Sequence, residues 1–402
     1  MSGTGARRER VLRQIPAGIW TLGFVSLLMD VSSEMIHGLL PVYLVSAMGA
    51  SALTVGAIEG VAESTALITR IFSGALSDWL GKRKLLAALG YGLAAATKPI
   101  FPLANSVGWV VAARFVDRIG KGIRGAPRDA LIADIAPEAL RGASFGLRQA
   151  LDTVGAFLGP ALAVLLMLAS HDDFRLVFWW AVAPAIASTA LIAFAVREPR
   201  VTRPPGETRF PLRPSELARL GRRFWIVAAV ATVFTLARFS EAFLILKARN
   251  DGLGEAYAPL VLVVMNLVYA LSAYPAGALS DRLGRRGVFL AGIALLIAAD
   301  LALAGAGSLI WVAAGLVLWG LHMGFTQGLL GALVADTAPA DLRGTGFGAL
   351  NLVTGLATLA ASLIAGALWD RIGPQATFAA GAALALMALV GVAFSARALK
   401  AP

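Results

Sequence analysis

The 402-residue sequence contains no cysteine and only three histidines. Disulfides, thiolate nucleophiles, iron–sulfur clusters and Cys-ligated zinc are therefore excluded, and His37, His171 and His322 show no metal-ligand spacing. Charge is scarce too, at 15% of residues, against 58% hydrophobic residues and a mean hydropathy of +0.76. A soluble protein carries about a quarter charged residues, so an integral membrane protein is expected. No Gly-x4-Gly-Lys-Ser/Thr loop occurs, so no nucleotide powers the chain directly. The glycine-rich stretch Gly120–Arg128 lacks the Lys-Ser/Thr ending. No nucleophile and base are spaced for catalysis, and no cofactor is implied.

What the chain has is apolar length. Stretches of about 20 residues cross a hydrocarbon core of roughly 30 Å. Twelve are recognised, at 17–46, 52–76, 84–104, 108–134, 143–168, 174–196, 224–247, 257–280, 286–306, 308–335, 344–369 and 374–396. None alternates as barrel strands do. The expected fold class is an all-α integral membrane protein with twelve transmembrane helices, multi-pass and embedded in a lipid bilayer. The first stretch carries Asp30, Glu34 and His37 and no cleavage site, so it reads as a retained span and not a signal peptide.

The net charge of +11 does not require nucleic acid, because the cations gather in alternate connections. One side holds Arg7, Arg8, Arg10 and Arg13, then Lys82–Lys84, Arg141, eight arginines from Arg197 to Arg223, Arg282, Arg285, Arg286, Arg343, Arg397 and Lys400. The other holds Lys98, Arg175, Lys247, Arg249 and Arg371. Positive connections stay in the cytoplasm, so both termini are expected there, in the cytoplasmic (inner) membrane of a prokaryote.

The proline- and arginine-rich segment 197–223 cannot bury a core and is expected to be a cytoplasmic linker between bundles 1–196 and 224–402. Internal repetition agrees. Gly74-Ala-Leu-Ser-Asp78-Trp-Leu-Gly81-Lys-Arg83 returns as Gly277-Ala-Leu-Ser-Asp281-Arg-Leu-Gly284-Arg-Arg286, and Leu131-Ile-Ala-Asp134 returns as Leu333-Val-Ala-Asp336 at nearly the same offset.

The paired Gly-x-x-x-Asp-x-x-Gly-[Lys/Arg]-Arg segments resemble the signature loop of the major facilitator superfamily of secondary transporters. In the first copy Trp79 stands where that motif is basic. The resemblance implies two six-helix bundles related by a pseudo-two-fold axis along the membrane normal, a small-molecule substrate bound between them and alternating access. A monomer is expected. It assigns a gating role to Gly74, Asp78, Gly81, Arg83, Gly277, Asp281, Gly284 and Arg286. Gly155-x-x-x-Gly159-Pro160 resembles the helix-kink motif of proton-coupled exporters, although Ala163 and Val164 replace its later glycines. Arg114 resembles the superfamily's membrane-embedded arginine.

Charges inside spans cost about 3 kcal/mol or more and need partners or a wet cavity. Asp30, Glu34 and His37 share one helical face, as do Glu59, Glu63 and Arg70. Arg114, Arg118, Lys121, Arg124 and Arg128 form a basic stripe expected to face them, its inner end serving packing. Arg148 and Asp152 form an i, i+4 pair. The second half offers only Arg238, Glu241, Asp300 and His322. Proton coupling is therefore expected at Asp30, Glu34, His37, Glu59, Glu63, Arg114, Arg118, Asp152, Arg238 and Glu241, chiefly in the first bundle. The reading is proton-coupled efflux by antiport; alternatives are proton-coupled uptake of an organic anion and, behind them, metal-ion transport and an intramembrane enzyme.

Overall fold

The computed structural model describes residues 14–198, 214–305, 307–339 and 342–394. Among them there is no strand. The helices are α1 Ala17–Val42, continued by a π turn Tyr43–Ala47, then α2 Ala52–Leu80, α3 Arg83–Thr97, the short α4 Ile100–Leu103, α5 Val107–Ile135, α6 Arg141–Ala169 and α7 Phe174–Phe194. After the connection come α8 Pro214–Arg219, α9 Gly221–Ala237, α10 Ala242–Asn250, α11 Leu260–Leu283, α12 Arg285–Ala304, α13 Leu309–Thr337, α14 Arg343–Arg371 and α15 Pro374–Phe394.

These helices fall on the twelve expected stretches. Ten of the segments they form are long and apolar enough to cross a membrane. The other two, α2 and α5, run for 29 residues each and carry the charge stripes. Large apolar side chains stand on the outside, among them Leu162, Leu165 and Leu168 of α6 and Trp180, Ile186 and Phe194 of α7. In water such a surface would aggregate; facing acyl chains it costs nothing.

Two spans are broken where the sequence suggested continuity. α3 gives way to α4 at Lys98 and Pro99, because Pro99 has no N–H for the helical ladder. α9 ends at Ala237 and α10 begins at Ala242, with Arg238 leaving the helical region and the Ser240 hydroxyl accepting the Ala242 N–H at 3.2 Å. The 197–223 segment needs correction at its end. Residues 199–213 lie outside the described residues, but Pro214–Arg219 is helical and Leu217 packs beside Leu220 and Phe224, so the chain is folded before 224.

A second correction concerns the outer cations. Lys98 and Lys247 are buried, not loop residues: Lys98 Nζ meets Asp117 at 2.8 Å and Lys247 Nζ meets Asp251 at 2.6 Å.

By packing, the chain forms two compact units, residues 1–37 with 69–209 and residues 38–68 with 210–402. This division differs from the sequence halves because the first part of α2 packs within the second unit. Gly56 and Gly60 lie against Ser362 and Leu359 of α14, and Gly366 lies against Ala52 and Leu53. Both oxygens of Asp370 accept N–H groups at the start of α2, from Ala52 at 3.0 Å and Leu53 at 2.8 Å. A carboxylate on the positive end of a helix dipole is favourable there. In the first unit the core gathers Ile19, Leu22, Val25 and Met29 of α1 with Ala87, Tyr91 and Ala94 of α3 and Ile192 of α7.

Candidate functional site

The first unit concentrates the charges on α1, α3, α5 and α6. Asp30 and Glu34 of α1 stand where α6 crosses closest. A methyl group at Gly155 would stand 2.8 Å from the Leu27 carbonyl oxygen and 2.9 Å from Asp30 Cβ; one at Gly159 would stand 2.7 Å from the Val31 oxygen and 2.8 Å from Glu34 Cβ. The glycines let two backbones touch, as small residues do at membrane helix interfaces. Pro160 follows directly, where the helix has no N–H to give. The motif and the two carboxyls, separate in sequence, are thus one crossing.

The basic stripe lies opposite. Asp30 has Arg124, Lys121, Arg128 and, on α6, Asp152 as electrostatic neighbours. Glu34 has Lys121 and Arg118, and its carboxylate is 3.4 Å from His37 Nδ1. Toward the C-terminal end of α5, Asp129 collects Arg70 at 3.0 Å, Arg128 at 3.1 Å and Arg148 at 3.8 Å. Arg148 also bonds Asp152 at 2.8 Å, the expected i, i+4 pair. Arg128 donates to Ser26, which bonds Tyr91, and the Arg124 guanidinium lies 4.8 Å from the Tyr91 ring centre. This end of the stripe ties α1, α2, α3, α5 and α6 together by packing.

One feature of the site was not read from the sequence. Lys98, at the α3–α4 break, donates to Asp117 at 2.8 Å and to Ser33 at 3.0 Å, and Asp117 is 3.5 Å from Arg118. Lys98, Arg114, Asp117 and Arg118 are all buried. The available signal was Asp117, a lone acid within the basic stripe. Glu59 is buried and Glu63 partly so, on the part of α2 that belongs to the second unit.

The signature loops close two helix pairs. Gly81 and Gly284 follow α2 and α11 with φ of +63° and +84°, a conformation that glycine adopts without strain. Arg83 reaches from α3 to α5, bonding Asp134 at 2.6 Å and the Ala130 carbonyl at 2.8 Å, so the two repeated sequence segments meet. Arg286 donates to the Ala393 carbonyl at 2.7 Å. Gly74 sits beside Ala126 and Gly277 faces open space. The side chains of Asp78 and Asp281 lie outside the described residues.

In the second unit Arg238 and Glu241 flank the α9–α10 break. Arg238 is 6.0 Å from the Phe234 ring, which lies 5.4 Å from that of His322. Phe239 touches Phe243, Trp319 and Phe378 at ring separations of 5.6, 5.8 and 5.4 Å. Buried among these helices are Asp300 of α12 and Trp319 and His322 of α13.

Discontinuous helices carrying charge at a break are how membrane carriers place polar groups in a bilayer. A sequence profile of the Major Facilitator Superfamily matches residues 22–254 and 242–402. The chain therefore belongs to that superfamily. It is 33% identical over 386 residues to an MFS-type transporter of Methanocaldococcus jannaschii, covering 93% of this chain and 94% of that one. It is 25% identical over 228 residues to the quinolone resistance protein NorA of Staphylococcus aureus, 56% of this chain and 57% of that one. Among solved structures, a POT family transporter crystallised with 5-aminolevulinic acid superposes with a TM-score of 0.80 at 14% identity, over 96% of this chain and 97% of that one. The protein is thus a multi-pass membrane protein of a transporter family.

Proposed function

We propose that this chain exports small molecules in exchange for protons across the cytoplasmic membrane, with both termini on the cytoplasmic side. The observation that supports this most is the crossing of α1 and α6, where Gly155 and Gly159 press against Asp30 and Glu34 just before Pro160. A change in the bend of α6 at Pro160 moves the surroundings of both carboxyls. A proton taken up by Asp30 or Glu34 removes a negative charge facing Lys121, Arg118 and Arg124, which alters the balance between conformations. Movement and protonation are linked in both directions. The partial match to NorA favours export over uptake. To Arg238 and Glu241, at the α9–α10 break, we assign the second unit's part in coupling.

Proteoliposomes carrying a pH gradient test this, with a quinolone as cargo. Asp30→Asn and Glu34→Gln are expected to abolish gradient-driven accumulation while sparing exchange at equal pH. Full accumulation in both single variants and the double variant returns these carboxyls to packing. Phosphatase fusions at residue 210 and at the carboxy terminus are expected to be inactive; activity at either reverses the orientation.

A second reading, uptake of an organic anion, draws on the buried Arg114 and Arg118. If Arg114 grips an anionic cargo through its two-pronged guanidinium, Arg114→Lys loses binding. If it serves an internal carboxylate, binding survives and coupling fails. Binding titrations of Arg114→Lys with the quinolone and with a dicarboxylate separate the two.

A further inference from the structure

The repeats share a helix contact as well as a sequence offset. Gly90 of α3 lies against Gly120 and Arg124 of α5, and Gly292 of α12 lies against Phe325 and Thr326 of α13, beside His322. At the same residue offset Asp300 corresponds to Lys98, and Trp319 to Asp117. In the first unit the position holds a closed ion pair. In the second it holds a carboxylic group with no counter-charge among the described residues.

Asp300 is fully buried, and among the described residues neither of its oxygens has a hydrogen-bond partner. A methyl on Gly381 of α15 would stand 2.7 Å from its Oδ2 and 3.0 Å from the edge of Phe239, so helix and ring enclose it closely. The neighbouring elements supply little charge. α13 brings Trp319 and His322, whose Nδ1 bonds the Gly292 carbonyl at 2.8 Å. That oxygen only accepts, so Nδ1 carries the hydrogen, and Nε2 has no partner. α11 carries Tyr269, an electrostatic partner of Arg238, and α15 has no charged residue between Pro374 and Phe394. Arg238 and Glu241 are at the α9–α10 break, where Glu241 is Arg238's first electrostatic partner.

An ionised carboxylate enclosed without donor or cation is too costly to persist, and such a group is carried neutral. We infer that Asp300 is a proton-binding site of the second unit, a carboxyl that holds its proton while α12, α13 and α15 enclose it and exchanges it when that packing opens. The step balances as one proton gained or lost at one oxygen, with no other bond changed. It adds a protonation site to the half for which the sequence offered only Arg238 and Glu241 as coupling residues. Its use in coupling rests on the exporter reading above; its existence does not.

Infrared spectra of the purified full-length protein in deuterated buffer decide the matter without any cargo. At neutral pH the wild type is expected to show a carboxylic-acid C=O band at the high-frequency end, where acids lacking hydrogen bonds absorb. The band is expected to persist in Asp30→Asn/Glu34→Gln, to move in Asp300→Glu and to vanish in Asp300→Asn. Asparagine resembles the protonated acid in shape and charge, so Asp300→Asn is expected to fold; unchanged helical circular dichroism and melting check this. A band that survives intact in folded Asp300→Asn overturns the assignment, as does a wild type with no such band. Absence of proton-driven transport in a wild type that retains the band counts instead against the exporter reading.

Discussion

Lys98 and Asp300 occupy corresponding places in the two repeats, and the difference between them shows what a buried charge is for. Lys98 lies 2.8 Å from Asp117 and 3.0 Å from Ser33, and Asp117 lies 3.5 Å from Arg118. Taking these groups from water is expensive, and close geometry with extra hydrogen bonds offsets the cost. The result is a fixed joint at the α3–α4 break. At the matching place the second half has Asp300 and Trp319, whose carboxylate oxygens and indole nitrogen lack partners. A charge that is fully answered holds helices together; one left unanswered can change its protonation.

Breaking the pair is expected to have the largest effect. Lys98→Met leaves Asp117 buried with Arg118 at 3.5 Å as its ion-pair neighbour and should cost about 3–5 kcal/mol, the usual penalty for stranding one member of a buried pair. Lys98→Met/Asp117→Asn should recover at least half of that, because the stranded charge is gone. Thermal melting in detergent reads both. A neutral single variant would mean that the joint contributes no stability and that the contrast between the halves lies elsewhere.

The second contrast is the helix crossing. α6 places Gly155 and Gly159 against α1, and the repeat sets Ala357 and Ala361 of α14 in their places. Gly159→Ala should cost about 1–3 kcal/mol by overpacking against the Val31 carbonyl and Glu34. The reverse change, Ala361→Gly, should cost about 1 kcal/mol, from helix propensity. Gly159→Ala should also halt gradient-driven accumulation in vesicles. If both variants lose the same stability and transport survives, the two crossings are equivalent and the kink motif has no special place.

Much of this fold could be read from the sequence because lipid imposes a simple rule. A helix that crosses a bilayer needs length and apolarity, which identified α6, α7 and α15, and the repeated Gly74–Arg83 and Gly277–Arg286 segments marked the loops. Asp30 and Glu34 were found because their spacing puts them on one face. Pairings between distant helices were not legible. Lys98 sits at the end of an apolar run and reads as a loop cation, since only the fold brings Asp117, on the neighbouring α5, to its ammonium. The break at Arg238–Glu241 was hidden because no proline or glycine marks it; a serine hydroxyl starts the next helix instead. The grouping of residues 38–68 with the second unit depends on the glycine contacts of α2 with α14, which no local pattern announces.

A third contrast is Asp370, which caps α2 from the end of α14, where the first repeat has Leu168. Asp370→Asn keeps one acceptor and loses the charge at the helix start, so about 0.5–2 kcal/mol should be lost. On the cysteine-free background, Ala52→Cys should react faster with a thiol reagent in Asp370→Asn than in the parent. Equal rates would show that the α2–α14 contact is held by the glycine packing alone.

The smallest effect is expected at Trp319, and it bears most directly on the comparison. Its ring packs 5.8 Å from Phe239 and 6.3 Å from His322, yet its N–H is buried and unbonded. A donor left without a partner costs about 1–3 kcal/mol relative to a bonded one. Trp319→Phe removes that donor and keeps an aromatic ring, although it gives up part of the indole's packing. The two changes oppose each other, so melting should stay within about 1 kcal/mol of wild type or rise. If the indole N–H instead stabilises the ionised form of Asp300 after the cluster opens, the infrared acid band should persist to higher pH in Trp319→Phe, because the deprotonated state has lost its donor. A large drop in melting would place a bonded partner on the indole, and the second half would then hold a joint of its own where Lys98 and Asp117 hold the first.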